Sequence, residues 1–175
     1  MKTVTLFRHA KSDWKDSPAI ADFDRPLAKR GLKAAPRMGQ AMREHGLCPD
    51  LILCSPSART RQTLSLSLAE AWDAPPEIRY DERLYHAEAP AMIDILRETG
   101  VDVGHVMIVG HNPGLQDLAA DLVRANTPQA ASLRENNFPT AAIATFRFEI
   151  GAWAELQPGT GELVVYTTPK QLDAA

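Results

Sequence analysis

Two histidines and two arginines carry the chemistry this sequence offers. Each lies just beyond a short apolar run. Arg8 and His9 follow residues 3–7. Arg59 closes the segment Ser55-Pro56-Ser57-Ala58-Arg59, which follows residues 50–54. His111 follows residues 105–109, inside Gly110-His111-Asn112-Pro113-Gly114. Two guanidinium forks make a strong seat for a phosphate or carboxylate. A histidine held between them can act as a nucleophile toward phosphorus, while the arginines stabilise the charge on the transferring oxygens. Ser55 and Asn112 each stand where a helix opens, which adds backbone N–H donors for an anion. Taken singly, each residue has a plainer reading. A histidine after a strand is usually structural, and Arg59 alone reads as a surface helix residue. Their shared placement at strand ends favours a common site. His45 and His105 lack that context and read as structural. Lys29, Arg30 and Lys33 read as a solvated helix face.

Two rival chemistries are tested by spacing and charge. A cysteine phosphatase needs a Cys and an Arg separated by five residues around one loop. Here Cys54 and Arg59 are separated by four, and Cys54 sits in an apolar run, so it reads as a buried, inert thiol. A metal hydrolase would use His9, His86, His111 and a carboxylate such as Asp81. Arginines beside those histidines would repel a divalent cation, so no metal site is assigned. The sequence holds neither a phosphate-cradling Gly-rich loop nor a dinucleotide fingerprint.

These residues need elements to position them. Residues 3–7, 50–54, 77–80, 105–109, 141–148 and 163–168 read as strands, the last two as a hairpin. Residues 28–45 have helical spacing through Leu32, Ala35, Met38 and Met42, with Gly46 at the C-terminal end and Pro36 as a candidate kink. A second helix opens at Ser55-Pro56 with Leu64, Leu68 and Trp72 along one face. Helices are also predicted over 89–99 and 115–123, a loop over 10–26, and a frayed tail over 171–175. Alternating strands and helices predict an α/β fold with a largely parallel sheet. In such sheets ligands bind beyond the carboxyl ends of the strands. The two histidines and two arginines therefore converge on one pocket.

Composition sets the limits. The chain has 175 residues, 45% of them apolar and 23% charged, which fits one globular domain spanning residues 1–175. A disordered chain is excluded. The net charge of −3 disfavours nucleic acid as a partner. The cysteines Cys48 and Cys54 cannot build a disulfide scaffold and read as free thiols in a reducing compartment. No apolar run reaches the ~18 residues of a membrane span, and no signal peptide precedes Arg8. The expectation is a cytoplasmic monomer that needs no cofactor.

Four segments together resemble the histidine phosphatase superfamily, the phosphoglycerate-mutase-like proteins, and within it the SixA-type phosphohistidine phosphatases. Leu6-Phe7-Arg8-His9-Ala10-Lys11-Ser12 resembles the opening Arg-His-Gly signature, with Ala10 in the glycine place. Asp24-Arg25-Pro26-Leu27 through Arg30-Gly31 resembles the lead into the first helix. Ser55 through Thr63 resembles the motif of the second phosphate-binding arginine, and Val109-Gly110-His111 the second-histidine motif. The resemblance implies a three-layer α/β/α fold with a mostly parallel sheet, and the short segment between Asp81 and His105 leaves little room for a large lid domain. It implies that His9 is the nucleophile and that Arg8, Arg59 and His111 bind the phosphoryl oxygens. His111 is then expected to be protonated, or at least to donate a hydrogen bond. Ser12, His86 and Asn112 are further candidates for contacting substrate.

One departure matters. Many superfamily phosphatases acting on alcohol esters carry a glutamate acid after a Glu-Arg-Leu-like stretch. Here Asp81-Glu82-Arg83-Leu84 is followed by Tyr85-His86, which puts His86 in that place and leaves Glu82 displaced. An alkoxide leaving group needs a general acid. An imidazole leaving group can carry its own proton on the other ring nitrogen. The departure favours phosphohistidine on a protein over a small phosphate ester. A broad phosphomonoesterase and a non-catalytic phosphoprotein-binding module are the alternatives.

Overall fold

The computed structural model describes residues 1–14 and 19–175. Six strands form one sheet in the order β3-β2-β4-β1-β5-β6. They are β1 Lys2–Arg8, β2 Leu51–Cys54, β3 Glu77–Tyr80, β4 His105–Gly110, β5 Ile143–Phe148 and β6 Glu162–Thr167. Strands β1, β2, β3 and β4 pair in parallel. Strands β5 and β6 run antiparallel on one edge, as the predicted hairpin. The fold is α/β and phosphoglycerate-mutase-like, with helices on both faces and no large lid among the described residues.

Strand alternation sorts the core into two layers. Val4, Leu6, Leu51, Leu53, Val106 and Ile108 face one side, with α3 Ala89–Arg97, α4 Gly114–Leu122 and α5 Pro128–Glu135 packed on them. Phe7, Ile52, Cys54, Met107 and Val109 face the other, under α1 Lys29–Glu44 and α2 Ala58–Ala71. Both faces of the central strands are covered. That is why those strands read as continuous apolar runs.

Helix α1 runs through Pro36 and ends at a left-handed Gly46 (φ 63°). Its buried face is Gly31, Ala35, Met38 and Met42, while Leu32 is 46% exposed and does not join the predicted stripe. Leu32 is four residues before Pro36, so the carbonyl that lacks a proline N–H belongs to a solvent-facing residue. Gly31 sits so close to the chain after β1 that an added Cβ would lie 2.2 Å from the Lys11 carbonyl oxygen. That contact fixes the segment carrying Ser12 against α1.

The predicted loop over 10–26 falls partly outside the described residues. Within it Ser12 bridges to Leu27, and Asp22–Asp24 form a 3-10 turn. The tail is not frayed. Pro169–Ala174 form a last short helix, α6. Thr168 and Gln171 cap it reciprocally, Leu172 packs on the core, and Arg37 pairs with Asp173.

Candidate active site

The sheet has its topological switch between β1 and β4. From β1 the chain leaves through α1 toward β2. From β4 it leaves through α4 and α5, on the opposite face, toward β5. The crevice between two such neighbours is the usual ligand site of an open α/β sheet. His9 leaves the end of β1 and His111 the end of β4, with ring centroids 5.3 Å apart. Arg59, in the first turn of α2, reaches the same place, and Arg8 is the last residue of β1. All four line one cavity of about 240 Å³ with Ser12, Asp22, Arg25, His86 and Asn112.

His9 is 7% exposed, and its Nδ1 lies 2.7 Å from the Ala10 carbonyl oxygen. A carbonyl only accepts, so Nδ1 carries the proton and Nε2 presents its lone pair. Burial is the largest influence on this ring and pushes its pKa down to about 4. The Ala10 bond opposes the shift, and the charges of Arg59, Arg8 and Arg25 add to it. His9 is therefore a neutral imidazole at pH 7.

His111 is 4% exposed, with Nε2 2.8 Å from Ser55 Oγ. Burial first, then the charge of Arg59 and the neighbouring His9 and His86, push it down to about 3. Of the two forms expected above, burial favours the neutral ring that donates a hydrogen bond over the imidazolium. The ring donates one N–H. If Ser55 Oγ–H donates to Nε2, that N–H sits on Nδ1.

Arg8 donates from Nη1 to the Phe138 carbonyl at 2.8 Å. Arg59 donates from Nη1 to the Asp22 carbonyl at 2.7 Å and from Nη2 to Asp22 Oδ2 at 3.1 Å. Arg8 Nε, Arg59 Nε and His111 Nδ1 are buried and lack a hydrogen-bond partner among the described residues. Buried donors in native proteins are paired almost without exception. Three orphaned nitrogens on side chains lining one cationic cavity define a site that wants an anion.

Asp22 organises the cations. Arg25 holds its Oδ1 at 2.9 Å, and Tyr85 Oη donates to Oδ2 at 2.6 Å. Burial raises the Asp22 carboxyl, but the bonds from Tyr85, Arg25 and Arg59 more than reverse this and hold it well below the usual carboxylate range. Neither Asp22 nor Tyr85 stands out in the sequence. Both lie in polar stretches without periodicity, and only the fold brings them to Arg59.

The remaining candidates divide. Ser12 Oγ accepts from Arg25 Nη1 at 2.6 Å. Asn112 donates to the Phe138 carbonyl at 2.9 Å, and its Oδ1 is buried without a partner among the described residues. The His86 side chain is 56% exposed at the mouth, with Nε2 3.2 Å from Asp22 Oδ2. Glu82 is exposed in the 3-10 turn Glu82–Leu84 and lines no cavity described here. Cys54 is fully buried, and burial pushes its thiol up to about 12, so it is inert.

A fold with facing histidines and arginines at the switch point of a mostly parallel sheet defines a phosphoryl-transfer enzyme of the histidine phosphatase class. The chain belongs to the histidine phosphatase superfamily (branch 1), whose model matches residues 4–90. It is a phosphatase of the SixA type. A SixA protein from Nakamurella multipartitia is 30% identical, covers 96% of each chain and superposes with a TM-score of 0.81. One from Agrobacterium tumefaciens is 29% identical over 96% of this chain and 98% of its own, with a TM-score of 0.79. An uncharacterised protein of Mycobacterium tuberculosis is 39% identical over 93% of this chain and 99% of its own length.

Proposed function

We propose that this phosphatase hydrolyses phosphohistidine on a protein, with His9 carrying the phosphoryl group in transit. Neutral His9 attacks phosphorus through Nε2. The P–N bond of the substrate breaks, and the leaving imidazole departs neutral because its other ring nitrogen already holds a proton. Arg8, Arg59 and His111 take the phosphoryl oxygens with their orphaned N–H groups. In the second half a water attacks phosphorus and His9 leaves. Its Nδ1 proton, held by the Ala10 carbonyl, makes His9 a neutral leaving group too. Both halves then expel an imidazole, and neither needs a carboxylic acid.

The observation carrying this reading is the state of Asp22. Among the described residues it is the sole carboxylate lining the reaction cavity, and its arginine and tyrosine partners hold it ionised. It cannot protonate an alkoxide at neutral pH. The SixA assignment of the similar solved structures supports the same substrate class.

The test uses wild type and His9→Ala, with EDTA present, on a phosphohistidine protein and on p-nitrophenyl phosphate. We expect preferential hydrolysis of phosphohistidine and an acid-labile, base-stable phosphoryl adduct in wild type alone. The variant is expected to lose about 10³-fold or more in turnover while still binding phosphate. Preference for the ester would overturn the substrate assignment. Unchanged phosphate binding with no turnover of either substrate by wild type would point to a binding module.

A further inference from the structure

The reaction cavity has a buried floor and an exposed rim. His9, Arg59 and His111 form the floor. Lys11, Trp14 and His86 are exposed at the rim. A phosphoryl group seated on the floor must point the group that carries it out past this rim. Among the described residues lining the cavity, Trp14 is the sole hydrophobic side chain, and it is 71% exposed. The backbone sets its place. Ser12 bridges to Leu27 in antiparallel fashion, and the Asp13 N–H donates to the Pro26 carbonyl at 2.9 Å. Two residues along the same register, Trp14 stands opposite Arg25. The Arg25 guanidinium lies over the indole, 3.6 Å from its ring centroid. That guanidinium is itself held, by Ser12 Oγ at 2.6 Å and by the Asp22 carboxylate at 2.9 Å. One face of the indole therefore has a fixed backing, and the exposure leaves the other face open at the mouth. The rival wall is His86. Its ring already packs on Tyr85, with centroids 4.1 Å apart, and its Nε2 lies 3.2 Å from Asp22 Oδ2.

We infer that Trp14 is a stacking platform for the ring that bears the phosphoryl group, and that it selects ring-borne phosphoryl groups over those on flexible chains. The inference rests on the phosphohistidine reading above. In phosphohistidine the imidazole is bonded directly to phosphorus, so the ring comes to the rim when the phosphoryl group reaches the floor. Planar π faces stack favourably on an indole. A lysine or serine side chain offers no such face. Because Arg25 already pins the indole, little ordering is needed when a ring lands on it. The arginines grip phosphoryl oxygens that every substrate shares, so the platform adds a distinction they cannot make.

The experiment uses peptides identical except for one residue: phosphohistidine or phospholysine as the P–N pair, phosphotyrosine or phosphoserine as the ester pair. Each enzyme is scored by its own ratio of kcat/KM for ring over ringless substrate. A peptide bound without turnover is scored by its inhibition constant. In Trp14→Ala we expect the ratio to fall about fivefold or more from the wild-type value, and in Trp14→Phe to recover most of it. An unchanged ratio, even with both rates lowered, would mean that Trp14 acts only through Arg25 and Asp22, and overturns the platform. A fall in the ratio in His86→Ala but not in Trp14→Ala puts the ring on the other wall and also overturns it. If wild type accepts the ester pair alone, the phosphohistidine reading falls, and the ratio within that pair still decides the platform. Failure of wild type to bind any of the four peptides overturns the inference.

Discussion

Asp22 binds Arg59 twice, through its carbonyl and its carboxylate, and so fixes the guanidinium that faces His9. Removing this carboxylate leaves Arg59 one anchor. We expect Asp22→Ala to lower kcat/KM about 10- to 100-fold while the fold survives, since small misplacements of catalytic groups carry costs of that size. Asp22→Asn, which keeps the size and a hydrogen-bonding oxygen, is expected to lose less. Steady-state kinetics beside circular dichroism check both, and equal rates in all three proteins would deny Asp22 a positioning role. Arg8, His9, Arg59 and His111 were legible in the sequence because each follows an apolar strand closely. Asp22 and Tyr85 were not, because their partnership spans 63 positions and no local pattern announces it.

At the scale of elements, the site depends on how closely two backbones approach. Gly114 opens α4 just after His111, and an added Cβ would lie 1.9 Å from the Ala87 carbonyl oxygen, beside His86. Backbone cannot yield as a flexible side chain can. We expect Gly114→Ala to destabilise the protein by about 1–3 kcal/mol and to reduce activity, because the two segments it forces apart carry His111 and His86. Gly100→Ala is the control, since a Cβ there meets nothing within 4 Å. Urea denaturation of both variants tests this, and equal midpoints would refute it. Periodicity located most of the elements. It failed where side chains misstate burial, as at Leu32, and where capping overrides composition, as in α6. Helix α5 went unpredicted because Ala130 and Leu133 alone are buried in it.

Across the whole molecule, the buried histidines tie stability to pH. An unfolded histidine titrates near 6.5, whereas burial holds His9 at about 4 and His111 at about 3. Between those values the unfolded chain binds more protons, so stability rises with pH over that window and levels off above it. From pH 5 to pH 7 each ring contributes about 2 kcal/mol of this rise. Denaturant titrations at the two pH values are expected to show it, with the slope reduced in His9→Gln and His111→Gln. A flat profile would mean that burial does not hold the two rings neutral.

The hydrogen bond from His9 to the Ala10 carbonyl also sets regiochemistry. With the nitrogen nearer the backbone occupied by a proton, the remote nitrogen alone can accept phosphorus. A trapped phosphoenzyme would therefore be a single isomer, the one bonded at Nε2. Reagents that distinguish the two isomers of phosphohistidine would separate the enzyme's own adduct from a substrate phosphorylated at Nδ1.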